Sequence, residues 1–231
     1  MRNIDFNKLF PRGFPVALVE YIVGNTNKAV HVRLEECFNK NVILDSVARN
    51  SALYRAGQYN TPGAKNVVEE AMLAKINALA PYISHWPEAV ALEWKPTNAP
   101  FAVKNLAEFV DTTCYYAERM ENLGAVIASG NLLLQSRLGY SVDHIPDKRV
   151  KGDRGNQSET DEERFWRSFS SSIPLSSGPY MGEGLLSYEW YMKRTKVATV
   201  FSLAMLSFVG EEKGQYRDTR AMVKCITERL F

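Results

Sequence analysis

Ser187 to Gly210, SYEWYMKRTKVATVFSLAMLSFVG, is the stretch whose reading decides the fold. It opens on paired aromatics, Trp190 and Tyr191, and passes a short basic run, Lys193-Arg194 and Lys196. Thirteen uncharged residues follow, Val197 to Val209, with only small hydroxyl residues among the apolar ones. A helix that is apolar on every side is a buried one, because no face has to meet water. A membrane crossing takes about 20 apolar residues, so this run predicts a central core helix instead. A core helix that also lines a pocket for an apolar ligand would need the same residues, and both readings stay open.

Working outward, Gly210 stands where glycine favours ending a helix. A last amphipathic helix is expected from about Gln215 to Leu230, with Tyr216, Met222, Val223, Ile226 and Leu230 on its apolar stripe. Towards the N-terminus, Pro11 and Gly13 stop any preceding helix, and Pro15 fits the first turn of a helix running to about Asn39. A short helix within 41–57 and a loop over Gln58–Gly63 come next. Ala64–Ile83 reads as clearly amphipathic, with Lys65, Glu69, Glu70, Lys75 and Asn77 placed mostly opposite its apolar residues. Pro81 bends or ends it. Trp86-Pro87 starts a short helix to Lys95, and another is expected over about Phe101–Met120.

Beyond Met120 the composition changes. Residues 121–138 read as a weak helix diluted by Gly124 and Gly130, and Asp143–Glu163 is dominated by charge, glycine and polar residues. Phe165, Trp166 and Phe169 punctuate a second weak helix before a Ser/Gly/Pro-rich connector. Such a segment holds too little apolar surface to order itself. With no strand pattern and no repeat, the expected architecture is an all-α bundle. Residues 1–119 and 185–231 would form the bundle, and 120–184 an extended, partly irregular insertion.

The 231 residues, 45% hydrophobic and 23% charged, suit one large domain. A net charge of +2 does not suggest a nucleic-acid protein. Cys37, Cys114 and Cys225 lie far apart, as do His31, His85 and His144, so no metal-ligand or disulfide spacing emerges. No catalytic constellation is visible. Asp111 reads as a structural carboxylate and His85 as a helix-cap or surface residue.

Three stretches together resemble the ubiquinone-biosynthesis accessory family known as the ninth Coq protein. They are PYISHWPEAVAL, Pro81–Leu92; FVDTTCYYAE, Phe109–Glu118; and SYEWYMKRTKVATVF, Ser187–Phe201. LFPRGFPVALVEYIV, Leu9–Val23, and QYRDTRAMV, Gln215–Val223, are weaker matches. The resemblance implies a mitochondrial lipid-binding protein with a TetR-like C-terminal helical bundle. The family's DNA-reading helices have no counterpart before Leu9, so no nucleic-acid partner is expected. Cys114 stands where the family has tryptophan, Thr112 where it has aspartate, Glu118-Arg119 where it has Gly-Asp, and Arg220 where it has a second tryptophan. The second motif is the family's docking surface for a hydroxylase, and here its aromatic anchor is missing.

Two readings of function follow. In the first, the chain is a structural, non-catalytic subunit of a mitochondrial inner-membrane assembly, a respiratory complex or the ATP synthase, on the matrix side. Its partners are then other protein subunits, with Tyr115, Phe165, Trp166 and Phe169 as contacts. This reading expects a filled pocket. In the second, the chain is a lipid-binding accessory factor that presents a ubiquinone precursor to an enzyme. It expects an apolar tunnel between the 64–83, 101–118 and 187–208 helices, walled by Phe101, Phe109, Trp190, Phe201 and Met205. The bound molecule would be an isoprenoid or phospholipid; no other cofactor and no metal are expected. Lys193, Arg194 and Lys196 are candidates to face lipid headgroups at a membrane surface.

Overall fold

The computed structural model describes residues 10–138, 164–166, 168, 188–211 and 216–231. The described part is all-α, with no strand among those residues. The bounded α-helices among the described residues are, in chain order, α1 Phe14–Phe38, α2 Lys40–Arg49, α3 Ser51–Arg55, α4 Ala64–Leu79, α5 Trp86–Glu93, α6 Ala99–Leu138, α7 Tyr188–Gly210 and α8 Arg217–Leu230, and residues 164–166 and 168 are helical too. A 3-10 segment, Ala80–His85, joins α4 to α5.

Local chemistry sets the breaks. Pro15 sits in the first turn of α1, where its missing N–H is not needed. Asn39 turns extended, and its side chain accepts a hydrogen bond of 2.9 Å from the Asn41 backbone N–H, capping α2. Pro81 cannot donate to the preceding turn, and the chain tightens there into the 3-10 segment before Pro87 opens α5.

α4 lies at the centre, packed on α1, α6, α7 and α8. Val67, Val68, Ala71, Met72, Ile76 and Leu79 supply its buried face, against Val30 and Leu34 of α1, Phe109 and Met120 of α6, and Val197 and Val200 of α7.

Two expectations change. The helix expected to stop near Met120 runs on to Leu138, about 60 Å in all. Leu123 and Ile127 continue the buried stripe of Val110, Cys114, Ala117 and Met120, so core packing outweighs the cost of two helical glycines. Gly124 also serves packing: a Cβ there would come within 3.4 Å of Thr61 Oγ1 in the passing loop. The second change concerns α7, which is not buried on all sides. Val197, Val200, Ala204 and Phe208 form one buried stripe, while Leu206 is 72% exposed and Leu203 and Val209 also reach solvent. Thr199 and Ser202 on its outer side bond the carbonyls of Thr195 and Ala198, so uncharged residues tolerate that face without being buried.

Candidate functional site

α1, α4, α5, α6 and α7 line a partly open cavity of about 70 Å³. Its apolar wall includes Val23, Trp86, Leu106, Phe109 and Phe201; its polar lining is Asn27, Lys75, Glu93 and Asn105. Phe109 and Phe201 meet with ring centroids 5.1 Å apart. Trp94 lines the cavity and is also exposed, which places the mouth beside it.

Lys75 is the electrostatic centre of this site, and it is only 3% exposed. Its Nζ donates to Thr26 Oγ1 and Asn27 Oδ1, each at 2.6 Å, and lies 3.5 Å from the Val23 carbonyl oxygen. Asn27 in turn donates 3.1 Å to the Asn105 carbonyl, which ties α1 to α6 and fixes the amide's orientation. The Phe109 ring lies 5.7 Å from the ammonium. Burial pushes the Lys75 amine down to about 7, although Glu93 and Glu108 act in the opposite direction. Glu93 is itself held above the usual carboxylate range by burial, with Lys75 opposing. The two line the same cavity without forming an ion pair. The Trp86 indole N–H is buried with no acceptor.

Of the five residues expected to wall a tunnel, Phe109 and Phe201 line the cavity and the other three do not. Phe101 is 43% exposed on the first turns of α6, with the Arg12 guanidinium 3.5 Å from its ring centre. Trp190 lies beneath Arg194, 3.7 Å away, and Met205 packs on the core.

The basic run of α7 is turned inward to α6 and α8. Arg194 bonds Asp111 at 2.7 Å and approaches Glu118 at 3.6 Å; Lys193 bonds Glu121 at 2.8 Å. Lys196 sits 5.5 Å from the Phe231 ring centre. The candidate membrane cations Lys193 and Arg194 are thus met by carboxylates of their own chain and do not present a free cationic cluster. Asp111 is held by Arg194.

The candidate partner contacts divide. Tyr115 is 38% exposed and stacks edge-on against Tyr116 at 5.2 Å. Trp166 is turned into the protein's own core at 1% exposure, 6.4 Å from the Tyr54 ring, and Phe165 is partly buried beside it. A side chain spent on the core is closed to an outside partner, so Trp166 is a fold anchor. Phe169 lies outside the described residues. Cys114, which stands where the resembled family has tryptophan, is buried, and burial pushes its thiol up to about 12.

Lys75, Asn27 and Glu93 were not among the expected site residues. A signal for Lys75 existed. It falls seven residues after Val68, three after Met72 and four before Leu79, all on the buried stripe of α4.

Each of the three motif stretches sends one side chain to this cavity: Trp86, Phe109 and Phe201. The result is an all-helical protein with a small internal site, polar at one end and aromatic at the other. Among the described residues no His, Cys, Asp and Glu cluster could hold a metal, and no helix is long and apolar enough to cross a membrane. Over 75 residues, 29% of its length, the chain is 35% identical to "ubiquinone biosynthesis protein COQ9, mitochondrial" of Drosophila melanogaster. It spans 23% of that protein's length. No family model matches the chain.

Proposed function

We propose that this protein is a non-catalytic mitochondrial accessory factor of ubiquinone synthesis that holds one end of an isoprenoid precursor. The observation that carries the reading is the convergence of Trp86, Phe109 and Phe201, one from each motif stretch, on a single cavity. Motifs that served only the fold would not need to share a void. The partial likeness to a ubiquinone biosynthesis protein supports the same reading. The apolar wall supplies the driving force for a hydrocarbon, and the Lys75 end supplies orientation.

The volume favours a second reading in part. Pockets that enclose a drug-sized ligand hold about 300–1,000 Å³, and this cavity holds about 70 Å³. A long polyprenyl chain cannot be enclosed in it. A structural subunit of a mitochondrial membrane assembly would tolerate so small a void, and the exposed Tyr115 is then its contact residue.

Native purification followed by mass spectrometry of both lipids and proteins separates the two. An isoprenoid retained at near one per chain, without stoichiometric membrane-complex subunits, is the expected result. A lipid-free chain recovered in fixed ratio with such subunits would replace the first reading with the second.

A further inference from the structure

Two unfilled donors and one acceptor line the polar end of the cavity. In its protonated form, Lys75 has three N–H donors. Two are held at 2.6 Å by Thr26 and Asn27, while the third has only the Val23 carbonyl at 3.5 Å, beyond the usual range for such bonds. The Trp86 indole N–H, in the same lining, has no acceptor. Across the cavity Glu93, with the Asn105 amide beside it, offers carboxylate oxygens and forms no ion pair with Lys75. A ligand group that completes this pattern accepts from Lys75 and Trp86 and donates to Glu93.

Charge narrows its identity. Glu93 already supplies the counter-charge to Lys75, so a carboxylate or phosphate head would bring a second negative charge into a water-poor site facing Glu93. An uncharged oxygen adds none. Among the end groups of a lipid, a hydroxyl is the smallest that both accepts and donates.

Size narrows it further. Water takes about 30 Å³ in the liquid, and a cavity that binds benzene measures about 150 Å³. The 70 Å³ here has room for a few heavy atoms and not for a ring. The mouth lies beside Trp94, which is 54% exposed. A slim end group can enter while an apolar tail stays outside against Trp94.

We propose that the Lys75–Glu93 end of the cavity recognises the uncharged hydroxyl end of an isoprenoid alcohol, in preference to its phosphate or carboxylic acid. This rests on the lipid-holding reading above. It adds the end group that enters and the residues that select it.

The test is a titration at pH 6, where Lys75 keeps its third N–H, of intrinsic tryptophan fluorescence with four probes that share one hydrocarbon body: geraniol, geranyl monophosphate, geranic acid and the hydrocarbon myrcene. Trp86 and Trp94 line the site and report directly. Geraniol should saturate the signal and bind at least tenfold tighter than the phosphate, the acid and myrcene. Lys75→Met, checked for folding by circular dichroism, should weaken geraniol at least tenfold. The ranking of probes on the unaltered protein stands even where that variant fails to fold. Phosphate or acid binding as tightly as geraniol would overturn the selectivity, and so would myrcene binding equally well, although lipid holding would survive. Saturation by none of the four overturns both.

Discussion

Lys75 carries the sharpest consequences of any single residue. Its amine is held at about 7 in the folded chain, against about 10.4 for a free lysine. Between those values the unfolded chain binds a proton that the folded chain does not. Stability therefore rises with pH across this window, by at most about 1.4 kcal/mol per pH unit. Below pH 7 both states are protonated and the cost of burial is present in full. Urea unfolding at pH 7, 8 and 9 should show the wild type gaining on Lys75→Met at each step. Parallel curves would mean that the amine is not held neutral. Arg194 acts in the other direction, as a clamp between α6 and α7. Its side chain is 11% exposed and serves Asp111, Glu118 and the Trp190 ring together. Asp111 is 58% exposed, so water screens that pair. The expected cost of Arg194→Ala is about 1–3 kcal/mol, short of a fully buried pair. Arg194→Lys should recover only part of it, because an ammonium cannot fork between two carboxylates and stack on indole. Full recovery in chemical denaturation would contradict the clamp.

At the scale of elements, α6 shows where sequence reading stops. Its first half was legible, because apolar residues recur at helical spacing from Phe101 to Tyr116. Its second half was not, because Gly124 and Gly130 lower local propensity while the gain comes from distant partners. Glycine there admits the loop at Thr61, and only tertiary structure shows that. The same limit hid Lys75. An amphipathic pattern sorts residues by type, so a lysine is assigned to the wet face, whereas position on the stripe puts it inside. In α7 the error ran the other way: absence of charge was taken as burial, yet serine, threonine and single leucines can face water. Phe109 and Phe201 line the cavity, and the helical spacing of α6 and α7 places both on inward sides of their helices. Two truncations test the element boundaries. Ile127→Ala should cost about 2–5 kcal/mol, as a core residue does; a change under 0.5 kcal/mol in urea would place residues beyond Met120 outside the core. Trp166→Ala should cost about 3–5 kcal/mol for the same reason. Unaltered stability would return Trp166 to the role of an external contact.

For the whole molecule, the three motif stretches do two jobs at once. The second and third clamp α6 to α7 through Arg194, and all three furnish the cavity wall. Bundle and site are thus one construction, which is why the fold could be read from α7 outward while the polar half of the site could not. That half comes from α1, α4, α5 and α6, where Asn27, Lys75, Glu93 and Asn105 have the side chains of ordinary surface residues. The central claim is that the cavity holds a ligand end in the native protein. Ala102 lines the cavity and is 7% exposed, so a larger side chain there should fill the space. Native mass spectrometry of protein purified from its own source, wild type against a folded Ala102→Phe variant, is the most direct measurement. The account predicts an isoprenoid-sized adduct on the wild type and its loss from the variant. An equal adduct on both, or none on the wild type, would contradict it.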